Sequence, residues 1–221
     1  TVSVNAVNDA PVRTDATAVA LAAATEDAAG GVGNTPPGAT VASLFGAKFD
    51  DARDGITAGS SPNTLAGVAI TTNNAVAGQG VWQYFTDGNT WTDLPAVSGT
   101  SALLLQSADS LRFVPAANFH GTPGSLVARL VDSSGAAIVT GSTANVSNDT
   151  TLSGGSTRYS NSTNSVTLVT SVNAVNDAPT LTSAALGAVN EDVTSAANTG
   201  AVIGTLFSGK YGDALDNQAG I

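Results

Sequence analysis

Oxygen-bearing side chains fall in a fixed order along this chain, and the order then recurs. Asn8 and Asp9 come first, Glu26 and Asp27 follow, and Asp50, Asp51 and Asp54 close the set. Asn176 and Asp177, Glu191 and Asp192, and Asp213 and Asp216 repeat it. Carboxylates, Asn carbonyls and backbone carbonyls are the ligands of a hard cation, and Ca²⁺ takes six to eight such oxygens. Pro11 and Pro179 each follow the Asp by two residues, fix the backbone and end any strand ladder. A cation bound there would screen like charges and lock the angle between neighbouring segments. The alternative is a plain turn, with Asn and Asp capping local backbone groups. The stretch from Asp50 to Asp54 is no helix-loop-helix calcium loop, because Ala52 stands at a ligand position and Ser61 where Glu belongs.

The elements that must position these groups are repeats. Ser-Val-Asn-Ala-Val-Asn-Asp-Ala-Pro occurs at 3–11 and again at 171–179, a period of about 168 residues. The likeness runs on through Thr25-Glu26-Asp27 and Asn190-Glu191-Asp192 to Leu44-Phe45 and Leu206-Phe207, with Lys48 and Lys210 in matching places. Spacing differs between the copies only in the connecting stretches, as expected of strands joined by elastic loops. Residues 1–9 are therefore expected to be the last strand of one repeat, 10–177 a complete repeat, and 178–221 the start of the next. The sequence is read as an excerpt of a longer polypeptide.

Composition points to strands. Of 221 residues 42% are hydrophobic but only 11% charged, and Thr, Val, Asn and Gly are abundant, which favours short strands and tight turns over helices. Leu65–Thr72 has strand composition; 81–94 has the form of a hairpin turning at Asp87-Gly88-Asn89. The stretch 101–115 gives an apolar run, a Ser-Ala-Asp-Ser turn and a strand stopped by Pro115, and 125–132 alternates Leu126, Ala128 and Leu130 against Val127, Arg129 and Val131. Residues 166–175 close the unit. The expectation is an all-β antiparallel sandwich, with 136–164, poor in large apolar residues, as a solvated loop or hairpin insertion.

The net charge of −10 argues against nucleic acid and anionic membrane surfaces as partners. The absence of Cys excludes disulfides and thiolate metal sites. No apolar run is long enough to span a membrane, so no membrane insertion is expected.

The doubled nonapeptide, the Glu-Asp pair and residues 111–135, with Phe113, Pro115, Phe119 and Gly121 in a Phe-x-Pro-x-x-x-Phe-x-Gly pattern, together resemble the cadherin-like and immunoglobulin-like tandem repeats of giant secreted bacterial surface adhesins. The likeness covers most of the chain. It implies a β-sandwich module strung head to tail, exported to the cell surface, and stiffened by Ca²⁺ at the junctions. The partners implied are neighbouring repeats of the same chain or identical chains in a filament, with glycans or host and cell surfaces as targets. Set against the eukaryotic cadherin linker, Asn5 replaces a carboxylate and Val7 an Asn, which argues against a full three-ion site.

Other groups suggest other chemistry. Trp82, Tyr84 and Trp91 raise a carbohydrate-binding module that stacks sugars on exposed rings; core packing and cross-strand pairing is the alternative. The paired lysines would fit either a crosslink to Asn or Asp or an ion pair with the nearby acids. Asn145, Asn148 and Asn161 head Asn-x-Ser/Thr sequences open to glycosylation. An enzyme is not expected: His120 is the single histidine and reads as a turn residue, and no nucleophile elbow or phosphate-cradling loop occurs.

Overall fold

The computed structural model describes residues 7–28, 35–55, 60–86, 90–149 and 151–213. The chain divides into two units, Thr1–Ala174 and Val175–Ile221.

The first unit opens with two-residue strands, β1 (Val12–Arg13), β2 (Val19–Ala20) and β3 (Ala24–Thr25). β4 (Gly38–Thr40) runs into the one-turn helix α1 (Val41–Phe45), followed by β5 (Phe49–Asp50). Thr40 caps the helix: its hydroxyl accepts from the Ser43 amide at 3.1 Å. Val41, Leu44 and Phe45, at helical spacing, turn one face inward and are buried. Then come β6 (Leu65–Asn73), β7 (Gly80–Thr86), β8 (Thr90–Asp93), β9 (Ala102–Gln106), β10 (Ser110–Pro115), β11 (Leu126–Asp132), β12 (Thr143–Ala144), β13 (Val166–Val169) and β14 (Val172–Asn173). The unit is all-β, as its Thr-, Val- and Gly-rich composition predicts.

One sheet has the order β4-β10-β7-β8, the other β12-β9-β6-β11-β13-β2. Period-2 alternation sends Val68, Ile70, Leu103, Leu105, Leu126, Ala128, Leu130 and Leu168 of the second sheet into one buried cluster with Trp82, Leu111 and Phe113 of the first. The hairpin of β7 and β8 pairs Phe85 with Trp91, and its turn at Asp87–Asn89 lies outside the described residues. β9 and β10 do not pair with each other; the turn between them crosses from one sheet to the other. Asp109 holds that turn, its Oδ2 accepting from the Gln106 amide and the Thr140 hydroxyl, both at 2.6 Å.

Two expectations need correction. The pairing is not wholly antiparallel, since β2 runs parallel to β13 and β3 parallel to β14. These partners lie at opposite ends of the unit's sequence, so no hairpin dictates their direction. Nor is 136–164 merely solvated. Ile138 and Val146 are buried on the outer face of the six-stranded sheet with Ala69, Ala102, Leu104 and Val131, and Tyr159 packs against them. With both faces covered, β11 buries Arg129 and Val131 as well as Leu126, Ala128 and Leu130.

In the second unit, β15 (Thr180–Leu181), α2 (Ile203–Leu206) and β16 (Tyr211–Gly212) repeat the start of the first. Val12 pairs with Asp50 and Arg13 with Phe49; Thr180 pairs with Gly212 and Leu181 with Tyr211. The Thr14 amide donates to the Lys48 carbonyl at 3.0 Å, and the Thr182 amide to the Lys210 carbonyl at 2.9 Å. Asp27 and Asp192, matching non-glycine residues, both adopt positive φ, 59° and 64°. Over the described residues the sequence repeat is therefore a backbone repeat; residues 1–6, expected to belong to the last strand of a preceding repeat, lie outside them.

Candidate functional site

Three chain segments meet around Asn8. The linker brings Asn8 and Asp9. A 3₁₀ turn over Ala52–Asp54 brings Asp51 and Asp54, whose i, i+3 spacing puts both on one side. The end of β11 brings Asp132. Asp54 is 7% exposed; its Oδ1 accepts from the Asp9 amide at 2.6 Å and its Oδ2 from the Asn63 side-chain amide. That Asn63 amide also donates to Asn8 Oδ1 at 3.0 Å. Asn8 Nδ2 donates to the Thr157 carbonyl at 3.1 Å and, at 3.4 Å, to Asp132 Oδ2. Asp132 is fully buried, and its Oδ1 accepts from the Ser134 amide at 2.8 Å. A small cavity of about 150 Å³ beside them is lined by Val7, Asn8, Asp54, Ser60, Ser61 and Asn63.

Asp51 is the odd member. It is 5% exposed, and neither carboxylate oxygen has a hydrogen-bond partner. Burial, then the Asp54 carboxylate, then that of Asp132 push its carboxyl up to about 6 from an ordinary 3.8. Asn63 lies near enough to favour the charged form, which offsets the rise in part without forming a bond of normal geometry. A buried, unpaired acid between two others costs stability unless something positive joins it. The oxygen donors of this cluster are carboxylates and side-chain amides, which suits Ca²⁺ and not a thiolate- or imidazole-seeking metal. Among the described residues, no three His, Asp or Glu side chains already converge at metal-binding distance, so a cation would have to draw these oxygens inward.

Asp50 stands apart, its Oδ1 accepting from the Ala52 amide at 3.0 Å as the cap of the 3₁₀ turn. Glu26 and Asp27 do not join Asn8 and Asp9, contrary to expectation. The parallel pairing of β3 with β14 carries them to the Leu126 end of β11, where the Glu26 amide donates to the Asn173 carbonyl at 2.9 Å. Seven residues of strand, roughly 20 Å, separate that end from Asp132. Glu26 is wholly buried, its Oε2 3.2 Å from Nδ1 of His120; Asp27 Oδ1 accepts from the Asn118 amide at 3.1 Å. His120 is thus a buried partner of a carboxylate, not a simple turn residue.

In the second unit, Asp213 stands where Asp51 does, and its Oδ2 accepts from the Tyr211 hydroxyl at 2.9 Å. Asn8 Nδ2 also donates to the carbonyl of its neighbour Asp9 at 3.2 Å, and Asn176 repeats this, its Nδ2 donating to the Asp177 carbonyl at 2.9 Å. Glu191 and Asp192 are exposed, and Asp216 lies outside the described residues.

Sequence reasoning missed Asp132 and Asn63. Asp132 had a signal: period 2 places it in the inward row of Leu126, Ala128 and Leu130, where a carboxylate is out of character. Asn63, in a polar loop, had none.

The aromatic residues divide by strand parity. Trp82 is 1% exposed, its indole donates to the Gly124 carbonyl at 2.9 Å, and Phe113 meets it edge-on at 5.3 Å. Tyr84 packs against the same core. Trp91 lies on the other face, 5.0 Å from Phe85 and with the Arg112 guanidinium 4.2 Å over its ring. The three rings therefore form no common platform. Lys48 pairs with Asp15, whose carboxyl its amine holds far below the usual range. Asn145 and Asn148 are exposed, while Asn161 caps a 3₁₀ turn by accepting from the Asn164 amide at 3.1 Å. No family model matches the chain, and neither a curated protein nor a solved structure matches it.

Proposed function

We propose that the chain is part of a tandem array of immunoglobulin- or cadherin-like β-sandwiches in a long extracellular adhesin or surface filament, with Ca²⁺ stiffening the junctions between repeats. The observation that carries this reading is the recurrence, in backbone pairing and not only in letters, of β1–α1–β5 as β15–α2–β16. An element that recurs with its linker attached is a unit of a string. Two sheets whose inward rows share one core support a sandwich as the bead.

The residues suited to hold the ion are Asp51, Asp54 and Asp132 with Asn8 and Asn63, since they leave a buried charge in want of a counter-charge. The ion would supply charge neutralisation and a rigid anchor for the linker. The proposal involves no catalytic step. The glycan-binding alternative is weakened by the burial of Trp82 and the covering of Trp91 by Arg112.

Thermal melting in Ca²⁺ and in chelator tests the metal. Extracellular Ca²⁺ modules bind at about 10⁻⁴–10⁻³ M. At tenfold that concentration one site adds about 1.4 kcal/mol, and the midpoint should rise by about 3–6 °C. An unchanged midpoint removes Ca²⁺ from the proposal.

A further inference from the structure

We infer that one Ca²⁺ is held inside a single repeat, closed by Asp132 and Asn63 together with Asn8, Asp51 and Asp54, and not by Glu26 and Asp27. The inference rests on the metal reading above and fixes its location and ligands. Three features of the first unit carry it. Asp51 is almost wholly buried with both carboxylate oxygens unpartnered, at the start of the 3₁₀ turn that also carries Asp54. Asn8 already touches Asp132, and Asn63 joins Asn8 to Asp54, so the cluster spans three segments remote in sequence. Glu26 and Asp27 have partners of their own at the other end of β11.

The ligand chemistry selects the ion. Three carboxylates carry more negative charge than a monovalent cation would offset. Asp54 and Asp132 are each also committed to a backbone amide, at 2.6 and 2.8 Å, so neither is free to turn into a regular octahedron. Such an irregular oxygen set suits Ca²⁺, which tolerates variable geometry, better than Mg²⁺, which demands an octahedron. A half-turn of the Asn63 amide would exchange its donor for an oxygen ligand. Bound there, the ion would clasp the linker to Asp51, Asp54 and Asn63 and to the end of β11, so each repeat would seize its own leading linker.

Calcium titration calorimetry and melting on the 221-residue chain decide the matter. Asp132→Asn is expected to weaken calcium binding at the first-unit site at least tenfold and to abolish the calcium-dependent rise in its melting midpoint. Asp27→Asn should leave both unchanged. Asp51→Asn guards against misfolding, because it removes a repelled charge at constant shape; it should fold at least as well in chelator yet lose the calcium response. If wild type responds to calcium and Asp132→Asn or Asp51→Asn responds as fully, or Asp27→Asn loses the response, the assigned ligand set is wrong while the metal reading stands. If wild type does not respond, both fall.

Discussion

Asp51 shows how one side chain can make stability depend on pH. In the unfolded chain its carboxyl ionises near 3.8; in the fold it holds its proton up to about 6. Between those values the native state binds more protons than the unfolded state, so stability falls as pH rises. The loss should reach about 2–3 kcal/mol by pH 7. Denaturant titrations in chelator should therefore show wild type weakening from pH 4 to pH 7, while Asp51→Asn stays level across that window and is the more stable protein at neutral pH. Equal slopes for the two would show that Asp51 is not strained. The sequence disclosed Asn8, Asp51 and Asp54 because each belongs to a cluster of oxygen-bearing side chains that recurs in the second copy. It concealed Asp132, which lies 124 residues from Asn8 along the chain. It misled on Glu26, because a carboxylate's place depends on which strand its own strand pairs with, and parallel pairing leaves no local signature.

At the level of elements, Arg129 explains why the polar stretch 136–164 folds down. Buried on the outward row of β11, its guanidinium reaches Asp149 Oδ1 at 3.1 Å and the Ser160 carbonyl at 3.3 Å. The Ser162 hydroxyl, with Ser153 and Arg129, holds the Asp149 carboxyl below its ordinary range. Gly67 helps from β6: a Cβ there would stand 2.0 Å from the Leu105 carbonyl and 2.8 Å from Ile138. Arg129→Ala would take the guanidinium from Asp149, which keeps its Ser153 and Ser162 donors, and from the buried Ser160 carbonyl, a loss of about 1–3 kcal/mol. Limited proteolysis should then cut within 136–164 before the rest of the unit, and an unchanged cleavage pattern would show that Ile138 and Val146 suffice. Strands of the long, regularly alternating kind were legible: β6, the β7–β8 hairpin, β10 and β11 all lie where composition and turn residues put them. The two-residue strands β1 to β3 and the one-turn helices were not, since tertiary contacts and not local propensity create them. The covering of β11's second face was hidden too, because Ile138 and Val146 are lone apolar residues in a Ser- and Thr-rich run.

At the level of the molecule, the two copies differ in what covers them. Leu21, Val41 and Phe45 of the first unit are buried, at 4%, 0% and 1% exposure. Their counterparts Leu186 and Ile203 are 65% and 74% exposed, and Phe207 is half-buried. In the first unit the covering comes from strands later in the sequence, β6, β10 and β13 above all. The same backbone without those strands keeps its shape through the β15–β16 pair but gains little from burial. Few buried apolar contacts mean low local stability and fast amide exchange. Hydrogen exchange should therefore find the amides of β6, β9, β11 and β13 strongly protected, and those of α2 and β16 exchanging close to the unstructured rate. Joining residues 57–174 after Ile221 would give the second copy the strands that cover the first. Protection at Leu206 and Phe207 should then rise at least tenfold, whereas an unaltered exchange rate in the lengthened chain would mean that recurrence of backbone does not imply recurrence of packing, and the tandem array would lose its chief support.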